Sequence, residues 1–437
     1  MSGKRFLVYG LIIGLFISGC TSAAKFGPPH GEEASGESDP GIQIRESAGE
    51  KGNVEEQVEL ETIDQESKGD QMPSDERSSC KDPFDGEQPA FNTAYWEKTD
   101  FCKHNVDYDT IISGGPPPDG IPPLDAPRFV ATESADEWLE DREPVILFQI
   151  DQDVRAYPLQ IMTWHEIVND EVAGVPVVVT FCPLCNTALV FKRPTVDQQT
   201  LTFGTSGNLR NSDLVMYDRQ TESWWQQFTG TAIVGELTGE QLQLLPAALI
   251  SWGDFRDEYP EGKVLSRDTG YNRRYGSNPY VGYDDIDSSP FLFQGDVDDR
   301  LQPMARVVGL VSDGGQVKSF SYRRLKEESV IHDSLEGTVI VIFYKEGTDS
   351  ALDASNIPEG RDVGATGVFE ALVDGEELAF IGDGNGMIRD VQTNSMWNIV
   401  GVAIEGPLAG KQLTPVPHFD TFWFAWAAFQ TPDSLVE

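Results

Sequence analysis

From about position 126 onward, hydrophobic residues fall in short β-branched and aromatic runs broken by Gly, Pro, Asn and Asp, and long helical periodicity is scarce. Val145 to Ile150 and Val154 to Tyr157 flank Asp151-Gln152-Asp153 and predict a hairpin. Val175 to Phe181 is β-branched and apolar and predicts a buried strand, with Ala188 to Phe191 as the next one. Leu201 to Gly204, Leu214 to Asp218 and Ser223 to Phe228 predict further strands. Short helices are expected over Ser134 to Asp141 and Ser251 to Tyr259, each with serine in the capping position. The class is therefore α+β and β-dominated.

The pattern is also duplicated. Ser223-Trp224-Trp225, Gly230 to Gly235, Leu237-Thr238-Gly239, Leu242 and Pro246 recur in order as Ser395-Met396-Trp397, Gly401 to Gly406, Leu408-Ala409-Gly410, Leu413 and Pro417. Trp252 and Phe255 recur as Trp423 and Trp426, and Val145 to Tyr157 resembles Val308 to Phe320. Two tandem pseudo-repeats, 126–295 and 296–437, are expected to form one compact β-rich unit. The second has Lys345-Glu346-Gly347 where the first has Cys182-Pro183-Leu184-Cys185, so any chemistry of that pair belongs to the first repeat.

Upstream, the pattern changes character. Met1 to Arg5 is basic, Phe6 to Ile17 is apolar, and Ser18-Gly19-Cys20 follows, the layout of a lipoprotein signal with Cys20 as the lipidated residue. Residues 21–78 are acidic, Ser/Gly-rich and nearly free of aromatics, which predicts a disordered tether. The expected location is extracytoplasmic, with a lipid anchor as the attachment to the cell membrane. A net charge of −40 spread along 437 residues makes nucleic acid a poor partner and favours adaptation to high salt. In an oxidising compartment, Cys80 and Cys102 flank a small aromatic segment within 79–125 and are read as a structural disulfide, which contributes about 3 kcal/mol in the chain-entropy model.

That leaves Cys182 and Cys185. Proline after the first cysteine fits a tight turn, and Asn186 after the second tolerates positive φ, so both sulfurs can point to one side of a rigid strand-to-strand loop. His165-Glu166-Ile167-Val168-Asn169-Asp170, then Pro176 to Asn186, Ser206 to Asp213 and Ser223 to Gly239 together resemble the signature of the domain-of-unknown-function 3179 family. The resemblance implies no assigned activity. It does imply relatives with selenocysteine at a cysteine position, which favours redox work.

Three functions stay open. In a thiol oxidoreductase, Cys182 attacks a disulfide of a protein partner, Cys185 resolves the mixed disulfide and His165 is the candidate base, with no cofactor required. An acidic surface opposes the thiolate in that scheme. In a metal site, Cys182, Cys185 and His165 bind copper or zinc, and Met162 as a further ligand suits copper. In a non-catalytic envelope binding module, Arg210, Asn211, Asp213, Arg273, Arg274 and Tyr275 line a polar pocket. Neither G-x-S-x-G, a Walker loop nor H-E-x-x-H is present.

Overall fold

The computed structural model describes residues 80–383, 386–430 and 435–436. Cys20, the signal segment and the acidic tether lie outside the described residues. Val145 to Tyr157 folds as the expected hairpin, with strands Pro144–Ile150 and Asp153–Pro158 joined through Asp151 at φ 51°. The chain then enters a buried helix, Leu159–His165, which sequence pattern alone did not disclose because nearly all its residues are buried and it carries no polar face. Glu166 stops it at φ 58°, donating its N–H to the Met162 carbonyl at 2.7 Å. Three antiparallel strands follow: Ile167–Val172, Val175–Cys182 and Thr187–Lys192. A further sheet contains Phe203–Arg210 and Asp213–Asp218.

The second repeat follows the same path. Arg306–Val311 pairs with Val317–Ser321, and the helix Tyr322–Glu328 stops at Ser329, whose φ of 61° and 2.7 Å bond to the Leu325 carbonyl match those of Glu166. Phe181 N–H donates to the Glu166 carbonyl at 2.8 Å, and Tyr344 N–H to the Ser329 carbonyl at 2.9 Å. Trp225 Nε1 donates to Asp218 and Trp397 Nε1 to Asp390, each at 3.0 Å. The duplicated letters thus encode a duplicated hydrogen-bond frame.

The closing strands tie the repeats together. Ala247–Ser251 returns to pair with Pro144–Ile150, and Phe419–Phe422 returns to pair with Arg306–Val311. Each also lies beside a strand of the other repeat, Phe419–Phe422 near Thr187–Lys192 and Ala247–Ser251 near Ala365–Glu370. The cores mix accordingly: Trp252 and Phe255 pack with Phe343, Phe369 and Trp397, while Trp225 and Phe228 pack with Phe422, Trp423 and Trp426. Neither repeat buries its apolar surface alone, which makes the two one folding unit.

Two expected elements change. The helix expected over Ser134 to Asp141 is instead the single turn Thr132–Ala135, which starts two residues earlier and has Ala131, not Ser134, at its N-cap; beyond it the Asp136 carboxylate accepts from Trp252 Nε1 at 3.0 Å and Arg256 Nη1 at 2.8 Å. The strand expected at Leu201 to Gly204 begins at Phe203 and runs to Arg210 through a bulge between Thr205 and Asn208. Gly207 in that bulge, at φ 78°, looks like turn punctuation but serves close approach, since a Cβ there would stand 1.9 Å from the Pro116 carbonyl oxygen. Ahead of the first repeat, Cys80 and Cys102 are bonded with Cα atoms 5.8 Å apart, and Phe91, Trp96 and Phe101 pack on Trp224. No helix among the described residues is long and apolar enough to cross a membrane.

Candidate functional site

The buried strand Val175–Cys182 ends at Cys182, which pairs with Thr187 across the turn Pro183 to Asn186. Asn186 takes φ 53° and its N–H reaches the Pro183 carbonyl at 3.3 Å, so the turn is tight and its two sulfurs share one side. Both are free thiols, Cys182 2% exposed and Cys185 0%. The Ser212 carbonyl lies 3.9 Å from Cys182 Sγ and 3.5 Å from Cys185 Sγ. Ser212 is presented by a two-residue turn, Asn211-Ser212, at φ 50° and 64°, closing the pair Arg210 and Asp213.

That turn also delivers Asp213, which is fully buried. Its Oδ2 accepts from Gln226 Nε2 at 2.6 Å and from the Phe228 N–H at 2.9 Å. The remaining hydrogen-bond partners of the carboxyl are the Cys182 and Cys185 thiols. A ligand atom from each of Cys182, Cys185 and Asp213 lies within 4.8 Å of the other two. The second repeat holds the turn from behind: the Cys185 carbonyl accepts from Thr421 Oγ1 and from the Phe422 N–H, both at 3.0 Å.

The electrostatics follow from burial. Burial pushes the Asp213 carboxyl up to about 6 against the pull of its Gln226 and Phe228 donors. Glu166 goes up to about 8, through burial first and the neighbouring Asp213 second. Burial raises the Cys182 thiol, with Asp213 and Glu166 adding to it, and raises Cys185 further, with Cys182 and Asp213 adding. Above the turn, the Tyr283 hydroxyl donates to the Leu184 carbonyl at 3.0 Å and accepts from the Phe291 N–H at 3.2 Å.

His165 is not part of this group. It is fully buried, its Nδ1–H donates to the Pro122 carbonyl at 2.6 Å and its Nε2 accepts from the Tyr275 hydroxyl at 2.7 Å. Burial lowers it to about 4, so it is a neutral imidazole with neither nitrogen open to a sulfur or a metal. Met162, buried in the same helix, packs in a different apolar cluster from the one that holds Cys182 and Cys185. The six expected pocket residues divide between two places. Arg210, Asn211 and Asp213 belong to the thiol site, where Arg210 donates to Thr110 Oγ1 at 3.2 Å and to Gln226 Oε1 at 3.4 Å. Tyr275 and Arg273 stand with His165, and Arg274 is exposed beside them.

Residues that sequence reasoning left out are Glu166, the Ser212 carbonyl, Tyr280, whose hydroxyl meets Glu166, and the Thr421-Phe422 clamp. Glu166 had a signal, being the neighbour of His165 in the signature stretch. Asn169 and Asp170 of that stretch are framework: Asn169 bonds both the N–H and the carbonyl of Phe203, at 2.9 and 2.8 Å, and Asp170 holds Arg155 and Tyr157.

The fold and this centre define a tandem-repeat, β-rich protein with a buried dithiol and carboxylate at the seam between its repeats. A family model described as "Protein of unknown function (DUF3179)" matches residues 118–434, and the chain belongs to that family. Searches of the curated proteins and of the solved structures gave no match.

Proposed function

We propose that Cys182, Cys185 and Asp213 bind one divalent transition-metal ion, zinc in preference to copper, in a protein held outside the cytoplasm by a lipid on Cys20. The observation that carries this reading is the convergence of the buried Asp213 carboxylate on two buried thiols, with one ligand atom of each residue within 4.8 Å of the other two. Three ionisable acids buried together are costly to ionise without a cation among them. A metal ion displaces the thiol protons and is held by the two sulfurs and the carboxylate. The carboxylate oxygen, in place of an imidazole or thioether, moves the donor set from copper toward zinc. Three protein ligands leave a fourth position for water or an exchangeable ligand.

Dithiol redox chemistry is the second reading, and the same carboxylate supports it. With its pKa up at about 6, Asp213 can take a thiol proton as Cys182 attacks a partner disulfide and Cys185 closes the intramolecular one, releasing two partner thiols. Burial of both sulfurs and the upward shift of both thiols weigh against it, since exchange needs an accessible thiolate.

Native mass spectrometry of protein purified without reductant or chelator separates the two. The metal reading expects an adduct that disappears on denaturation and in Asp213→Asn, with Cys182 and Cys185 reduced. A metal-free mass with both cysteine pairs oxidised refutes it in favour of the dithiol.

A further inference from the structure

In a chain with 72 acidic and 32 basic residues, a cation has carboxylates in ample supply, and buried Arg155 and half-buried Arg219 use them, pairing with Asp153 and Asp170 and with Asp119 and Asp125, while Arg193, Arg210 and Arg267 find neutral acceptors. Arg273 does neither. Among the described residues it has no ion pair and no side-chain hydrogen bond, and its Nε is buried without an acceptor. Half-buried, it acts electrostatically on His165 and Tyr275, both of which its charge pushes toward their less protonated forms. Exposed Arg274, also without an ion pair, adjoins it.

The surroundings are fixed in place. The ring of Tyr271, 46% exposed, lies 5.4 Å from that of His165, and the Tyr275 hydroxyl is shared between His165 Nε2 and Thr269 Oγ1 at 2.7 and 2.5 Å. The segment is anchored just beyond, where Trp164 Nε1 donates to the Ser277 carbonyl at 3.2 Å and Ser277 bridges to Asn356. The guanidinium is thus held on an ordered segment with hydrogen-bonding capacity that the protein does not use. A planar fork of donors with no internal acceptor matches a carboxylate or a phosphate.

We propose that Arg273, assisted by Arg274 and walled by Tyr271 and Tyr275, binds the carboxylate or phosphate group of an anionic ligand. This site stands on observations separate from those at the thiols. It adjoins them through consecutive residues, since His165 bonds Tyr275 while Glu166 faces the thiol centre.

The test is calorimetric titration of the full chain with inorganic phosphate and with succinate, at ionic strength held constant with sodium chloride, alongside thermal unfolding. Saturable binding of either anion by the wild type is expected, lost in Arg273→Gln and weakened about tenfold or more in Arg273→Lys, which keeps the charge and loses the fork. Saturation by phosphate alone assigns a phosphate-bearing ligand, and by succinate alone a carboxylate. Without added anion, Arg273→Gln is expected to melt no lower than wild type, because it removes a charge that has no partner. No saturable binding of either anion, binding unchanged in Arg273→Gln, or a lower melting temperature of that variant without anion overturns the proposal.

Discussion

If the second repeat holds the thiol turn, Thr421→Val has a defined cost. Thr421 is fully buried, and its hydroxyl donates to the Cys185 carbonyl and lies 3.0 Å from the Thr187 hydroxyl. Valine keeps the shape and removes both contacts. No buried group is orphaned, because the Cys185 carbonyl still accepts from the Phe422 N–H at 3.0 Å and from Thr187 Oγ1 at 3.2 Å. The loss is therefore that of ordinary neutral hydrogen bonds, about 1–2 kcal/mol, or a melting temperature lower by about 1–3 °C. If that energy is spent locally, opening of the turn becomes about fivefold more frequent or greater. Alkylation of Cys185 in the reduced, metal-free protein should accelerate by the same factor. Thr187→Val and the double variant complete a cycle, with a coupling of about 0.5 kcal/mol or more expected between residues in contact. Wild-type melting with unchanged alkylation refutes the clamp, and lower melting with unchanged alkylation refutes its action on the turn.

Cys102→Ser, which opens the loop closed at Cys80, should cost about 3 kcal/mol in denaturant unfolding and leave alkylation of Cys182 and Cys185 as in wild type. Asp218→Asn and Asp390→Asn each set an amide N–H₂ against donors, so losses of about 1–3 kcal/mol of similar size are expected; a large effect in one repeat with none in the other refutes the shared frame. Glu143 is 2% exposed, and burial pushes its carboxyl up to about 7 against the Glu140 N–H, the Arg267 charge and the Gln160 amide. Because the folded-state pKa is the higher one, its contribution to stability is complete below the unfolded-state value and is lost as pH rises through 7, by about 3 kcal/mol in all. Glu143→Gln should flatten urea midpoints between pH 5 and 7.5, and an unchanged slope rejects the assignment.

The local parts of this fold are legible in the sequence. The hairpin at Asp151, the serine-capped helix Trp252–Glu258 and the turn carrying Cys182 and Cys185 depend on alternation, capping and positive φ, all properties of adjacent residues. What surrounds the sulfurs depends on sheet order. Asp213 reaches them because Phe203–Arg210 turns back through Asn211-Ser212, and His165 misses them because the helix Leu159–His165 sets its ring between Pro122 and Tyr275. Proximity in sequence favoured the histidine over the aspartate, and the fold reverses that choice. The Thr421-Phe422 clamp depends on a closing strand that packs across the repeat boundary, which periodicity within either repeat does not encode.

The duplication also accounts for a cysteine turn on one side only. In the first repeat the chain passes from Cys182 to Thr187 through one tight turn, whereas in the second the matching strands are joined from Lys345 to Ala365 by residues 346–364, with Ser329 where the first repeat has Glu166. That long connection reaches back to the first repeat: Asp349 donates its N–H to the Arg142 carbonyl at 2.8 Å and pairs with the Arg142 side chain, and Lys345 pairs with Asp254. The same position in the frame thus holds two buried sulfurs in one copy and fastening contacts in the other. The sulfurs in turn depend on the partner copy, through the Cys185 carbonyl. A protein with two thiol turns would lack the long fastening loop, and one with two long loops would lack the centre, so an asymmetric pair is the arrangement in which this frame both holds together and carries the buried dithiol.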